Sequence, residues 1–247
     1  MRIARAMALA GIDSRRKCEI HVTNGAVTVN GEVVRDLGRQ VNPEKDAILF
    51  RGRMLQFHKD VYYILNKPAG YTTTTDDPYA EKTVFDLLPS ALITGSHQPR
   101  ASRTRVFSVG RLDRDSEGLL LFTNDGELAN RLMHPRYQVG KWYEVKLNRA
   151  FAPADKTALM QGVRLEDGIA SVKQIHTCSQ RVIRVLVHEG KKREIRRIFE
   201  ALDYKVLRLI RIAMGPLTLR GLLPGRGRYL TLLEIAQLKQ LTTSAPA

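Results

Sequence analysis

The sequence has few cysteines and no long apolar run, and these absences argue against a disulfide-rich and a membrane-spanning protein. Only Cys18 and Cys178 occur among 247 residues, without a CxxC pair, so neither a disulfide framework nor a zinc site is indicated. This usage favours a reducing cytoplasm. No apolar stretch approaches the roughly 20 residues that span a bilayer. The N-terminal MRIARAMALAGI is interrupted by Arg5, which favours a folded helix over a targeting segment, so no membrane partner is expected.

Acidic residues are also scarce. The chain has 40 Lys and Arg against 25 Asp and Glu, a net charge of +15. Such an excess disfavours a compact chain through self-repulsion unless a polyanion binds it. Nucleic acid is the favoured partner, because phosphate contacts by Lys and Arg give affinity independent of sequence. The alternative is surface charge that serves solubility alone.

Residues 1–57 have the pattern of a small module of helices and short strands. After a first helix, a second one is predicted from Ser14, a good N-cap, to Asn24, which precedes a glycine. The segment AVTVNGEVV (26–34) then alternates as two strands do on either side of an Asn-Gly turn.

This module carries positive charge where helix stability does not favour it. Up to residue 59 it has 11 basic and six acidic residues, and Arg15, Arg16 and Lys17 crowd the first turn of the second helix. Cations there oppose the helix dipole, so a phosphate partner explains them better. The order of helix, SRRK-bearing helix and VTVNGEVV hairpin resembles the S4 RNA-binding domain. The resemblance implies that these three residues contact the RNA backbone.

The remainder, residues 60–240, alternates strands and helices without a regular βαβ period. This predicts an α+β domain with a largely antiparallel sheet flanked by helices. Capping boxes are predicted at Thr83 with Asp86 and at Thr231 with Glu234. An exposed loop is expected at 94–105 and a frayed tail at 241–247.

The stretch SVGRLDRDSEGLLLFTNDGE (108–127) concentrates carboxylates within this basic chain. Asp113, Asp115 and Glu117 match the opening of a calcium loop, but Asn124 stands where the bidentate glutamate is needed. A turn shaped by Asp, Ser and Gly explains part of the pattern. It leaves GRLD, directly after a strand, without an explanation.

Four motifs in order give a stronger resemblance. GRLDRDSEGLLLFTNDGELANRLMHP follows NKPAGY (66–71) and precedes KWYEV (141–145) and EGKKREIRRIFEAL (189–202). Together they resemble the ribosomal pseudouridine synthases, in which an S4 module often precedes the catalytic domain. The resemblance implies isomerisation of uridine to pseudouridine in ribosomal RNA, with large-subunit RNA favoured, and no cofactor or metal.

The resemblance also implies roles for single residues. Asp113 corresponds to the carboxylate that acts at the sugar, and Arg196 to the cation that pairs with it. Tyr143 corresponds to the ring that stacks on uracil. Arg111 corresponds to the arginine that fills the space of the flipped base. Asp115 falls at a variable place and is interpreted as a turn former or surface charge.

Other side chains near these motifs receive weaker assignments. Strand alternation puts Trp142 on the face opposite Tyr143, where core packing is expected. Lys67 is counted among the RNA contacts, although bracing of the catalytic loop suits it better. RNA contacts are also expected from the basic segment Lys191, Lys192, Arg193 and Arg197.

Two rival functions remain open from the sequence. A ribosome-assembly factor that clamps RNA without catalysis predicts loss of Asp113, Tyr143 or Arg196, and all three are present. A metal-dependent phosphodiesterase would use Asp113, Asp115 and Glu117. The expected partner is ribosomal RNA, either naked or in a pre-ribosomal particle, and a monomer is expected.

Overall fold

The computed structural model describes residues 1–74, 79–92 and 105–243. It has two compact units. The first contains 1–61 together with the described parts of 89–107 and with 124–126, and the second contains the other described residues. The predicted loop at 94–105 lies outside the described residues except for its last position, as do residues 244–247 of the predicted tail.

The first unit begins with two helices that pack on a small sheet. The helices are α1 (Ile3–Leu9) and α2 (Arg15–Thr23). The strands are β1 (Val27–Val29), β2 (Glu32–Val34), β3 (Ile48–Phe50) and β4 (Arg53–Met54). They are antiparallel in the order β2-β1-β3-β4. Buried apolar side chains of both helices and the sheet form one core.

The predicted local signals of this unit are confirmed. The Ser14 side chain caps α2 by accepting from the backbone N–H of Lys17 at 3.3 Å. Asn30 and Gly31 join β1 to β2 with φ angles of 52° and 88°. Both central residues of the turn are left-handed, which matches the right-handed twist of the flanking strands.

The second unit is built on one large sheet. Its strands are β5 (Tyr62–Lys67), β6 (Phe107–Val109), β7 (Glu117–Thr123), β8 (Lys141–Leu147), β11 (Gln174–Ser179), β12 (Val182–Val187), β13 (Val206–Met214), β14 (Leu217–Thr218) and β15 (Gly227–Tyr229). The order is β11-β12-β8-β13-β7-β5-β15, with β14 on β13 and β6 on β7. A separate hairpin contains β9 (Val163–Leu165) and β10 (Gly168–Ala170). Along this order every pairing is antiparallel except that of β7 with β13, which is parallel. The predicted α+β class with a largely antiparallel sheet is therefore confirmed.

Helices complete the second unit. They are α3 (Gly126–Met133), α4 (Asp155–Gln161), α5 (Glu194–Glu200) and α6 (Leu232–Thr243), and short 3₁₀ helices cover Val84–Leu87 and Pro135–Tyr137. A further 3₁₀ helix, Ser90–Leu92, belongs to the first unit. Apolar residues of α3 and α6 share a buried cluster with β5 and β7. Among the described residues, no helix combines the length and apolar character needed to cross a membrane.

Both predicted capping boxes are present. The Thr83 backbone N–H donates to Asp86 at 2.7 Å, although the helix there is 3₁₀. Thr231 and Glu234 exchange backbone-to-side-chain bonds of 2.9 and 3.2 Å at the start of α6. The predicted start of the tail at residue 241 is wrong, because α6 continues to residue 243.

Gly118 allows the parallel strands β7 and β13 to approach closely. Its φ is +107°, and a Cβ at this position would lie 2.3 Å from the carbonyl oxygen of Arg211. Any side chain would therefore force β13 away from β7. The glycine of the GLL motif is thus required by the packing of the sheet.

Candidate active site

The carboxylate-rich segment forms a tight turn between β6 and β7. The Ser116 backbone N–H donates to the carbonyl of Asp113 at 3.0 Å, which closes the turn. Lys67, at the end of β5, lies beneath it and is fully buried. Its Nζ lies within hydrogen-bond distance of four carbonyls, those of Ser116, Asp113 and Arg114 at 2.6, 3.1 and 3.3 Å and that of Pro68 at 3.1 Å, which share its three N–H donors.

Lys67 is therefore a brace of the turn. Burial lowers its pKa to about 8, while Asp115, Glu117 and Asp113 oppose the shift, so the ammonium keeps its proton at pH 7. The assignment of Lys67 as an RNA contact is wrong, because its ammonium group is buried and donates to backbone carbonyls in the interior. The interpretation as a brace is confirmed.

The segment after β5 holds the turn from another side. The Thr73 hydroxyl donates to the carbonyl of Leu112 at 2.8 Å and is 3.4 Å from the Leu112 nitrogen. The Gly70 backbone N–H donates to the carbonyl of Arg114 at 2.7 Å. The NKPAGY motif and the threonines that follow it thus fix the backbone on both sides of Asp113.

A cavity of about 590 Å³ opens beside this turn. The half-buried Asp113 and the buried Tyr143 both line it. Four cations from the predicted RNA contacts also line it: Arg111, Lys191, Lys192 and Arg193. The structure therefore brings six predicted residues from three separate motif segments into one site, with a carboxylate, an aromatic ring and excess positive charge.

Arg196 does not pair with Asp113, so this expectation is wrong. Its guanidinium lies 3.0 Å from a carboxylate oxygen of Asp115 and donates to the Asp115 and Val206 carbonyls at 3.3 and 2.9 Å. No basic nitrogen of the described residues lies within 4.0 Å of the Asp113 carboxylate. Asp115, two positions further along the turn, faces α5 and forms the ion pair with Arg196 instead.

Asp115 is accordingly more than a turn former or a surface charge. Arg193 also reaches it, with Nη1 at 3.3 Å. Glu117, the third acid, accepts two bonds of 2.7 Å from Arg208, which lowers its pKa. Neither carboxylate is available to a metal ion unless an ion pair breaks, and this weakens the phosphodiesterase interpretation.

The remaining predicted RNA contacts are distributed outside the cavity. Arg197 forms a two-bond ion pair with Asp167, at 2.7 and 3.0 Å, and is not among the described residues that line the cavity. In the first unit, Arg15, Arg16 and Lys17 are all exposed on α2. Arg15 lies 3.6 Å from Glu19 on the same helix.

Trp142 is on the opposite face from Tyr143, but its predicted place in the core is wrong. It is half-buried, with its ring 5.2 Å from that of His176. Both residues, with Cys178 and others, line a second cavity of about 650 Å³. Strand alternation therefore predicted the face on which the indole lies but not its partial exposure.

Sequence reasoning missed Arg211. This residue lies on β13 and is 2% exposed. Its Nε donates to the Leu119 carbonyl at 2.6 Å, and its Nη1 lies 3.5 Å from the hydroxyl of Tyr143. The only sequence signal was an arginine within an apolar strand, KVLRLIRIAM, whose other arginine, Arg208, is exposed.

Comparison with known proteins agrees with this geometry. The sequence pattern of RNA pseudouridylate synthases matches residues 61–201, and that of the S4 domain matches residues 1–48. An RNA pseudouridine synthase of Aquifex aeolicus is 40% identical over 243 residues, covering 96% of this chain and 93% of the relative. The ribosomal large subunit pseudouridine synthase B of Bacillus subtilis is 37% identical, covering 97% and 96%.

A solved structure has the same fold. The crystal structure of a pseudouridylate synthase superimposes with a TM-score of 0.68 at 26% identity, covering 96% of this chain and 99% of the other. With the ordered motifs and the cavity that contains Asp113 and Tyr143, these matches show that the chain belongs to the RNA pseudouridine synthase family and carries an N-terminal S4 domain.

Proposed function

We propose that the protein converts a specific uridine, or a few neighbouring uridines, of large-subunit ribosomal RNA to pseudouridine. The observation that carries the proposal is one cavity that contains both Asp113 and Tyr143 and is rimmed by cations. The choice of large-subunit RNA is supported by the activity in the name of the Bacillus subtilis relative. The S4 domain supplies further RNA affinity.

The reaction exchanges one glycosidic bond for another. The N1–C1′ bond breaks, the uracil turns, and C5 bonds to C1′; the C5 proton leaves and N1 gains a proton, so the product is an isomer. No oxidant or energy source is needed. The Asp113 carboxylate acts at the sugar, as carboxylates do at electron-poor anomeric carbons.

The cavity walls provide the other requirements. The target nucleotide leaves its stack to reach Asp113, which costs a few kcal/mol. Arg111 is exposed at the cavity rim and fills the vacated position. Tyr143 offers a planar face to the detached uracil. Lys191, Lys192 and Arg193 bind the flanking phosphates.

Arg196 has an indirect role in this proposal. Through Asp115 and its carbonyl it ties the turn to α5, and through the Val206 carbonyl it ties α5 to β13. The turn that presents Asp113 is therefore held by Lys67 from below and by Arg196 from the side. Arg196 is a positioning residue here.

RNA binding and catalysis are divided between the two domains. The S4 domain spans 1–57 and binds RNA through Arg15, Arg16 and Lys17, and the catalytic domain spans about 60–240. We propose that a monomer acts in the cytoplasm, on naked ribosomal RNA or on a pre-ribosomal particle.

The test is a pseudouridine map of ribosomal RNA from cells that lack the protein. The strain is complemented with wild type, with Asp113→Asn and with the matched control Asp115→Asn. We expect one site or a few neighbouring sites in large-subunit RNA to disappear. Wild type restores them, Asp113→Asn does not, and Asp115→Asn restores them at least in part.

Three results contradict the proposal. If all pseudouridines persist in a strain without a redundant enzyme, the protein is not the synthase for them. If the lost site lies in small-subunit RNA, the choice of substrate is wrong. If Asp113→Asn restores the modification, the assigned carboxylate is wrong.

A further inference from the structure

Arg211 is a buried cation that has no assigned role in the proposed reaction. It is 2% exposed and is not among the described residues that line the active-site cavity. Its contacts run in two directions, to the Leu119 carbonyl on β7 and to the Tyr143 hydroxyl on β8. One planar guanidinium thus joins two elements of the site.

The sheet topology puts Arg211 at this junction. β13 lies between β7 and β8, and Arg211 is in register with Gly118 on one side and with Tyr143 on the other. β7 begins directly after the turn that carries Asp113, and β8 carries Tyr143. The absence of a side chain at Gly118 permits the approach that brings Arg211 Nε within 2.6 Å of the Leu119 carbonyl.

Stability alone does not account for a charge at this position. The Nη2 atom of Arg211 is buried and has no hydrogen-bond partner among the described residues. Neighbouring Lys141 is half-buried; desolvation, and then the charge of Arg211, lower the pKa of Lys141 to about 8. A buried charge is weak evidence for a stabilising role, because desolvation offsets what its contacts contribute.

We propose that Arg211 is a positioning residue that sets the ring of Tyr143 relative to the turn of Asp113. The guanidinium contacts the hydroxyl of Tyr143 and is itself held by the Leu119 carbonyl of β7, the strand that follows the Asp113 turn. The distance between the stacking ring and the carboxylate is thereby held while the uracil is detached. This inference deepens the proposed function and rests on it.

The kinetic test is a double-mutant cycle between Arg211 and Tyr143. Arg211→Lys keeps the charge but has no fork to reach both partners, and Tyr143→Phe keeps the ring but removes the hydroxyl. The rate of tritium release from RNA labelled at uridine C5 is measured under single-turnover conditions. We expect Arg211→Lys to slow the wild type about tenfold, since small misplacements of a reacting geometry are costly. In the Tyr143→Phe background the same substitution should have little further effect.

Arg208→Lys is the matched control. Arg208 is on the same strand but binds Glu117 at the surface, so its effect should be the same in both backgrounds. If Arg211→Lys slows both backgrounds equally, Arg211 does not act through Tyr143 and the inference is overturned. Should Arg211→Lys fail to fold, Arg211→Met, of similar volume, replaces it in the cycle.

A second measurement does not depend on activity. The protein is labelled with fluorotyrosine, and the ¹⁹F resonance of Tyr143 is assigned by its absence in Tyr143→Phe. We expect this resonance to shift or broaden in Arg211→Lys and to stay unchanged in Arg208→Lys. An unchanged resonance in Arg211→Lys overturns the contact, whereas an inactive wild type with a shifted resonance overturns only the proposed function.

Discussion

Cations in the two units are used in opposite ways. In the first unit, Arg15, Arg16 and Lys17 are exposed at the start of α2. In the second unit, Lys67, Arg196 and Arg211 are 0%, 5% and 2% exposed and bond to backbone carbonyls. We propose that the first group attracts phosphate, whereas the second group fixes the shape of the site.

The difference teaches that net charge alone describes only part of a basic chain. An exposed cation adds affinity that salt weakens, because it acts by releasing counterions. A buried cation that donates to carbonyls is screened little by salt, and its loss leaves polar groups without partners. Substitutions in the two groups should therefore be separable by stability, turnover and salt dependence.

The largest effect is expected at Lys67. Lys67→Met leaves the carbonyls of the Asp113 turn without their shared donor, so we expect the free energy of unfolding to fall by about 4 kcal/mol. Urea denaturation measures this loss. The matched control is Lys192→Met, an exposed lysine, for which a change within about 0.5 kcal/mol is expected. Equal effects of the two substitutions would contradict the role of Lys67 as a brace.

Arg196 should affect turnover more than binding. Arg196→Met removes the tie between α5 and the Asp113 turn, and we expect kcat to fall about 50-fold with little change in KM, because misplaced reacting groups lower the rate steeply. Steady-state kinetics on the RNA substrate measure both constants. Arg197→Met, one position along the same helix, removes only the pair with Asp167 and should leave kcat nearly unchanged. A loss confined to KM would show that Arg196 serves binding instead.

The exposed group should respond to salt. Replacing Arg15, Arg16 and Lys17 together by alanine should weaken RNA binding and reduce the slope of log K against log salt by about 2. Turnover at saturating RNA should not change. Fluorescence anisotropy at several salt concentrations gives the slope. If the slope is unaltered, these residues do not contact phosphate.

The smallest effect is expected from the partly exposed ion pair between Arg228 and Glu234. Arg228, through hydrogen bonds, lowers the pKa of Glu234 from 4.5 to about 2. Because the folded-state pKa is lower than the unfolded one, the stabilisation is complete above pH 4.5 and disappears as the pH falls towards 2. Glu234→Gln should cost about 1 kcal/mol at neutral pH. Thermal unfolding of both proteins should converge in acid, and parallel pH curves would contradict this.

Local rules predicted much of the fold. The helix caps at Ser14 and Thr231 and the turn at Asn30 and Gly31 depend on neighbouring residues alone, so they can be read from sequence. The helix α4, the short strands β9–β11 and the edge strand β15 were missed. These elements are short, β11 also contains a register shift, and β15 pairs with β5, a strand distant in sequence.

The site was predictable as a set of residues and less so as a set of contacts. The ordered motifs gave Asp113 and Tyr143, which do line one cavity. The partner of Arg196 was not predictable, because the choice between Asp113 and Asp115 depends on how the turn meets α5. Arg211 was missed since its burial follows from the parallel pairing of β7 and β13, which no local pattern encodes.

The contrast between the two cysteines makes this chain suitable for single-site labelling without mutation. Burial raises the pKa of Cys18 to about 11, so its thiol stays protonated and shielded at neutral pH, whereas Cys178 is exposed. Cys178 lines the same cavity as Trp142, the single tryptophan of the chain. A maleimide dye on Cys178 would therefore form an energy-transfer pair with a unique donor, within the sheet that carries the active site.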